Sequence, residues 1–294
     1  MTPPIVHGSF TLERTFKASP ARAFAAWTDI ETKAAWFMGP PERWKLLRRE
    51  LDLRVGGREI LHGKLVDGHE TLFVARYHVI EPNERLVYVY DMSAGALHLS
   101  VSLATVEFSP TREGGTRMLF TEQAAFLDGQ DGTKSREIGT AAHLDRLSNV
   151  LSDPRDIVST RVLEAPRERV FRAFGDPEEL ARWWGPKGFN NDFAEFDLRP
   201  GGVWRFVMRG PNGEEYRLVK QFVEVTPPER VVLRQEDAVH GFTMTQILLD
   251  LGARTALVWR MRFDSAQEAE RVRAFIETAN EENLDRLEAH LSSG

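Results

Sequence analysis

The sequence predicts two α+β domains in tandem, each a curved antiparallel sheet closed over by a long final helix. Three observations carry this. The stretch from Pro166 to Pro186, PRERVFRAFGDPEELARWWGP, states two helix boundaries and an aromatic anchor, and residues 19–40, SPARAFAAWTDIETKAAWFMGP, repeat its pattern. Strand-like alternation follows each stretch. A long amphipathic pattern then closes each copy, and Leu144-Asp145-Arg146-Leu147 recurs as Leu284-Asp285-Arg286-Leu287. A period near domain size marks a duplication and not a solenoid, so residues 1–152 form copy one and residues 153–294 copy two.

Each copy opens on a strand, Thr11 to Phe16 and Val158 to Leu163, with Arg14 matching Arg161. A helix pair follows. Phe24, Trp27, Asp29 and Trp36 match Phe171, Phe174, Asp176 and Trp183 at a constant spacing of 147. Pro166 suits a first helical position and Gly175 a left-handed helix end. Asp176 then caps a second helix, with Pro177 in its first turn, Glu178 and Glu179 at the positive end of its dipole, and Gly185-Pro186 stopping it. In copy one Ser19-Pro20 and Asp29 play these parts.

Beyond the helices the spacing becomes 145, aligning residues 51–57 (LDLRVGG) with 196–202 (FDLRPGG). Alternation then points to strands with one buried face. Trp204, Phe206 and Met208 share one side. Asn212-Gly213 and Asp67-Gly68 occupy matching hairpin positions, where both residues tolerate positive φ. Further strands are expected at Tyr216 to Val225, Val231 to Arg234, Thr243 to Leu251 and Ala256 to Phe263. Their counterparts are Thr71 to Ile80, Leu86 to Tyr90, Leu99 to Phe108 and Thr116 to Thr121. In the last helix of copy two, Ile276, Asn283, Leu284, Leu287 and Leu291 recur at helical spacing. The linker starting at Asp153-Pro154 is so short that the halves are expected to touch. One helix cannot fill a strongly curved sheet, so a cavity is expected between them, roofed by the helix pair.

Composition removes several classes of function. The net charge is −6, divided as −1 for copy one and −5 for copy two. Neither half is a basic platform, which argues against nucleic acid or an anionic membrane as partner. Cysteine is absent, excluding disulfides, thiolate metal sites and cysteine nucleophiles. No secretory signal or membrane-spanning run is present, so a soluble cytoplasmic protein without membrane insertion is expected.

The residues WWGP at 183–186, DLRPGG at 197–202, the Pro-Asn-Gly hairpin, PPER at 227–230 and LDRL at 284–287 together carry a resemblance. The chain resembles, in both copies and almost end to end, the family named after the activator of heat-shock protein 90 ATPase. That family lies in the START-like (SRPBCC) helix-grip superfamily, which also holds the birch-pollen allergen and polyketide cyclases. The resemblance implies seven antiparallel strands gripping a C-terminal helix over an apolar pocket. It implies no single activity. Copy one departs from the pattern, with Trp36-Phe37-Met38-Gly39-Pro40 for WWGP and Glu59 for Trp204, so its pocket is expected to be the more altered. Thr140 and Asn280 stand where the family pattern leads one to expect tryptophan. The separate chaperone-docking domain of the eukaryotic activators has no counterpart in the sequence, which places co-chaperone activity behind ligand binding.

The candidate pocket residues follow. Trp183 and Trp184 either anchor the helix pair or line a pocket, the former being the commoner use of large aromatics. Trp204, Phe206, Met208 and Trp259 read first as core and second as ligand wall. In copy one the candidates are Trp36, Phe37, Glu59, Leu61, Thr140 and His143. Glu59 lies on a face that is apolar in copy two, so it either has an arginine partner or turns toward water, or, pointing inward without a partner, is held neutral or contacts a polar group of a ligand. His143 could face the pocket. No metal or cofactor is expected: no histidine pair has ligand spacing, and His69 begins HETLF and not the zinc motif. Gly56-Gly57 and Gly201-Gly202 are turns and not a phosphate cradle, and a nucleophile elbow is missing. The run Arg48 to Glu50 reads as a solvated face.

The expected function is non-catalytic binding of a hydrophobic or aromatic small molecule, with copy two better placed to hold it. Two alternatives remain at this point. One is a protein-interaction or co-chaperone-like module. The other is a cyclase- or hydrolase-like enzyme using Glu59 or His143 as general acid–base, which requires both to converge on one cavity.

Overall fold

Caps written into the sequence set the helix starts. The Ser19 hydroxyl accepts the Arg22 backbone N–H with Pro20 in the first turn, and the Asp29 and Asp176 carboxylates accept the first free N–H groups of the second helix in each copy. The computed structural model describes residues 3–236 and 240–293. The chain divides into two units, Met1–Ser152 and Asp153–Gly294.

In copy one the order is β1 (Val6–Phe16), α1 (Pro20–Thr28), α2 (Ile30–Trp36), β2 (Trp44–Leu51), β3 (Arg58–Leu65), β4 (Glu70–Glu81), β5 (Arg85–Ala94), β6 (Leu97–Pro110), β7 (Thr116–Phe126) and α3 (Thr133–Leu151). Copy two repeats it as β8 (Asp156–Leu163), α4 (Arg167–Gly175), α5 (Pro177–Trp183), β9 (Asn190–Phe196), β10 (Val203–Arg209), β11 (Glu215–Thr226), β12 (Arg230–Gln235), β13 (Phe242–Asp250), β14 (Thr255–Phe263) and α6 (Ala266–Ser292). Each sheet is a seven-stranded antiparallel meander whose first strand returns to pair with the last, in the orders β1-β7-β6-β5-β4-β3-β2 and β8-β14-β13-β12-β11-β10-β9. These are tandem α+β helix-grip domains. Among the described residues, no helix is long and apolar enough to cross a membrane.

Four local expectations are corrected. Pro166 is the cap residue of α4 and not its first helical residue, with an extended backbone at φ −61° and ψ 152°. Gly175 ends α4 without a positive φ. A Cβ there would stand 3.1 Å from Leu198 Cδ2, so close packing against the following loop is the reason for glycine. In the Asp67-Gly68 and Asn212-Gly213 hairpins only the glycines take positive φ. The edge strands β2 and β9 were not legible, because an edge strand exposed on much of both faces carries little alternation, as the largely exposed WKLLRREL of β2 shows.

The glycine pairs are turns for two separate reasons. Gly56 and Gly201 sit at φ 81° and 82°. A Cβ on Gly57 or Gly202 would stand 2.1 or 2.0 Å from the carbonyl oxygen of Asp52 or Asp197, a contact no side chain survives.

Candidate functional site

The repeated LDRL sequence is the clasp of each domain. Its leucines, Leu144 and Leu147 or Leu284 and Leu287, are at most 1% exposed on the inner face of the last helix. Its aspartate holds the first strand: Arg14 Nη2 donates to Asp145 Oδ1 at 2.9 Å, and Arg161 Nη1 to Asp285 Oδ1 at 2.9 Å. Its arginine reaches the end of the helix pair. Arg286 donates to the carbonyls of Arg182 (2.9 Å), Trp184 (3.4 Å), Gly185 (2.8 Å), Pro186 (2.9 Å) and Phe189 (3.1 Å), while Arg146 donates to those of Trp36 (3.0 Å) and Met38 (2.8 Å). A cation thus satisfies carbonyls that a helix end leaves free. The clasp fixes the helix pair as a roof over the space between last helix and sheet.

In copy one that space is a cavity of about 600 Å³. Arg136, Gly139, Thr140, His143 and Leu144 recur at helical spacing and give the α3 wall, while Tyr88, Tyr90 and Met92 alternate inward along β5. Trp36 and Phe37 form the roof, and Glu59 and Leu61 come from β3. All six copy-one candidates, Trp36, Phe37, Glu59, Leu61, Thr140 and His143, line this one cavity.

Two ion pairs furnish its walls, one buried on both sides and one buried only at its carboxylate. Lys33 Nζ lies 2.6 Å from Glu59 Oε2, both side chains 3% exposed, and Tyr77 Oη donates to the same oxygen at 2.6 Å. The partner of Glu59 is therefore a lysine from α2 and not an arginine. Burial pulls the Lys33 amine below its ordinary range, Glu59 opposes that shift, and burial beside Glu59 pushes the Tyr77 phenol well up. The second pair lies on β7 and α3. Tyr90 Oη donates to Glu122 Oε1 at 2.6 Å, and Arg136 donates to Glu122 Oε1 at 3.2 Å, to Ser100 Oγ at 2.8 Å and also to Tyr90 Oη. Glu122 Oε2 is buried with no hydrogen-bond partner among the described residues.

His143 faces Phe37 with ring centres 5.1 Å apart. Its Nδ1 accepts from Arg146 Nη2 at 2.7 Å, an assignment that leaves the ring hydrogen on Nε2. Burial, with Arg146 beside it, holds its pKa down at about 4.

Lys33, Tyr77, Glu122 and Arg136 stand in no motif of the sequence, although the repeat holds the signal for them. Leu180, Trp204 and Phe222 occupy the positions of Lys33, Glu59 and Tyr77. Thr116 and Thr255 make the same bond to Ala18 and Ala165, which sets Met261 opposite Glu122 in the alignment. The LDRL register likewise sets Ile276 opposite Arg136. Each charge differs between copies together with its partner.

In copy two the named aromatics are packed together. Trp183, Trp204, Phe206 and Trp259 are at most 2% exposed and Trp184 5%. Trp184 stacks on Trp259 at 5.1 Å and meets Trp204 edge-on at 4.9 Å, and Trp204 stacks on Phe206 at 4.4 Å. The space beside Trp184 and Trp204 is about 10 Å³. Copy two was expected to be the better-placed half, but this part of its interior is core. The reason is volume: Trp184, Trp204, Phe206 and Trp259 replace Phe37, Glu59, Leu61 and Phe120. Met208 is half-buried at the margin, and the Asn280 amide donates to Ser159 Oγ at 3.3 Å. The Arg48 to Glu50 run is only partly a solvated face. Arg48 pairs with Glu50 in the open, whereas Arg49 Nη2 turns to donate to the Phe37 carbonyl at 2.6 Å.

No curated protein matches the chain. Among solved structures, a protein of Rhizobium leguminosarum is 40% identical over 50% of this chain and 96% of its own length, with a TM-score of 0.48. One from Rhizobium loti is 37% identical over 50% and 99%, with a TM-score of 0.46. A Nitrosomonas europaea protein is 23% identical over 48% and 96%, with a TM-score of 0.44. The family model described as "Activator of Hsp90 ATPase homolog 1-like protein" matches residues 17–152 and again 164–292, and the chain belongs to that family through both of its copies.

Proposed function

We propose that copy one binds an apolar, largely aromatic small molecule without transforming it, in the cavity between α3 and the sheet. The observation that carries this reading is the two ion pairs on the cavity walls, Lys33–Glu59 fully buried and Arg136–Glu122 with its carboxylate buried. Copy two builds the same fold with Leu180, Trp204, Met261 and Ile276 at those positions. Buried ion pairs contribute little net stability over apolar residues of similar size, so the fold alone gives no reason to keep them. A volume of about 600 Å³ suits a guest of drug-like size. Phe37, Phe73, Tyr88 and Phe120 offer it apolar contact, and Glu122 Oε2 offers an acceptor for a hydroxyl or N–H group.

The chemistry at hand favours binding over catalysis. Glu59 and His143 do share the cavity, as acid–base action would require. Glu59 is, however, held by Lys33 and Tyr77, and the Nδ1 lone pair of His143 is taken by Arg146. A general base needs a free lone pair facing the substrate. Native mass spectrometry of the freshly purified full-length protein tests the reading. A retained mass of a few hundred daltons, one per chain, supports it. Bare protein, together with no change in melting against a library of apolar aromatics, counts against it.

A further inference from the structure

Three tyrosines form a row on the inner face of the copy-one sheet. Tyr77 on β4 stands opposite Tyr88 on β5, and Tyr90, two residues further along β5, turns to the same face. The ring centres of Tyr77 and Tyr88 lie 5.5 Å apart and those of Tyr88 and Tyr90 6.1 Å. The outer two hydroxyls are committed to the ion pairs, Tyr77 Oη donating to Glu59 and Tyr90 Oη to Glu122. The middle one is not. Among the described residues Tyr88 Oη has no hydrogen-bond partner, and it opens on the cavity that its ring lines.

The fold has no need of that hydroxyl. Tyr88 is 5% exposed, and the residue aligned with it in copy two is Leu233, 2% exposed, so the position calls for an apolar side chain and nothing polar. A buried tyrosine hydroxyl ordinarily finds a partner within the protein. Burial, with Tyr90, Glu59 and Glu122 adding to it, pushes the Tyr88 phenol well up, so it keeps its proton and acts as a neutral donor. What it lacks is an acceptor. Among the described residues the cavity is lined by two cations, Lys33 and Arg136, against the carboxylates of Glu59, Glu122, Asp128 and Asp131. Lys33 and Arg136 are already matched by Glu59 and Glu122. An anionic acceptor would add a negative charge with no cation left to meet it, whereas an uncharged one adds none.

We propose, building on the reading of copy one as a binding domain, that its guest is an uncharged aromatic carbonyl compound whose oxygen accepts a hydrogen bond from Tyr88 Oη. Tyr88 then fixes which end of the guest faces β5, while Phe37, Phe73 and Phe120 hold its rings. A hydrocarbon of the same shape displaces water from the phenol and gives it nothing in return, which leaves a buried donor unsatisfied. Selectivity for the carbonyl follows from that difference, as it does wherever a site is built to pair a polar group of its ligand.

The test titrates the full-length protein calorimetrically with benzophenone, with diphenylmethane, which lacks the oxygen, and with diphenylacetate, which carries a charge. Benzophenone should bind about tenfold tighter than diphenylmethane, the worth of one hydrogen bond to a buried donor. Irradiating the benzophenone complex should place its photolabel in copy one. Tyr88→Phe removes one oxygen and no contact within the protein, so it should melt at or above the wild-type temperature. It should keep its affinity for diphenylmethane and lose the preference for the ketone. Equal wild-type affinities for ketone and hydrocarbon, or a loss of both in Tyr88→Phe, would overturn the role of Tyr88 and leave copy one standing as a binding domain. Diphenylacetate bound more tightly than benzophenone would overturn the uncharged class of guest. No binding of any of the three, or photolabels confined to copy two, would count against the copy-one reading itself and take this assignment with it.

Discussion

Lys33 and Glu59 meet at 2.6 Å inside copy one, each side chain 3% exposed, at positions where copy two carries Leu180 and Trp204. Breaking such a pair leaves a lone charge in the interior, at a cost of about 3–5 kcal/mol. Glu59→Leu alone and Lys33→Leu alone should each destabilise copy one by that order. The double variant should recover most of the loss, because it removes both charges and moves toward the copy-two arrangement. Urea unfolding of the four proteins gives the coupling energy. Additive losses would mean that the charges do not depend on each other.

The clasp arginines make a graded prediction. Arg286 donates to five main-chain carbonyls, one within α5 and four beyond its end, and Arg146 to two. A lysine is a point charge on a flexible stem and cannot span several carbonyls as a guanidinium fork does. Arg286→Lys should therefore cost about 2–3 kcal/mol, from hydrogen bonds to a charged donor that are not replaced. Arg146→Lys should cost less. Thermal melts of the two variants check the order, and equal losses would contradict the carbonyl count as its cause.

Much of this architecture was legible because the chain states it twice. The Asp29 and Asp176 caps, the Gly-Gly turns and the LDRL clasp depend on local backbone geometry, so both copies keep the same letters there. Edge strands β2 and β9 depend on pairing with one neighbour and bury little, so no periodicity reveals them. The cavity residues divide along the same line. Glu59 stood out as a carboxylate on an apolar face, but its partner Lys33 comes 26 residues earlier on another element and looks like an ordinary surface lysine in a short helix. Glu122 was hidden because β7 runs on to Phe126, five residues beyond the expected end at Thr121, and Arg136, in the first turns of α3, reads as one more surface charge on an amphipathic helix.

Gly139 offers a way to separate stability from binding. It lies inside α3 on the cavity wall, and a Cβ there would meet nothing within 4 Å. Glycine within a helix costs roughly 0.5–1 kcal/mol against alanine. Gly139→Ala should raise the stability of copy one by about that amount and leave room for a guest. Gly139→Leu should also be tolerated, because its side chain enters empty space, but it should displace the guest. Native mass spectrometry that finds the same retained molecule in the leucine variant would remove the cavity from consideration as its site.

The pH dependence of copy one should report on His143. Its pKa falls from an ordinary 6.5 to about 4 in the folded chain, because burial and then Arg146 disfavour the charged ring. The folded state therefore binds fewer protons than the unfolded state across that interval. The contribution is constant above about 6.5 and is lost progressively as pH falls toward 4. His143→Asn, which installs the copy-two residue Asn283 and cannot titrate, should flatten the decline in that window while leaving stability at pH 8 within about 1 kcal/mol of wild type. Urea midpoints taken at intervals from pH 8 to about pH 4 would show it, as the difference between wild type and variant. A wild-type curve that falls in parallel with the variant would assign the acid loss to the carboxylates instead.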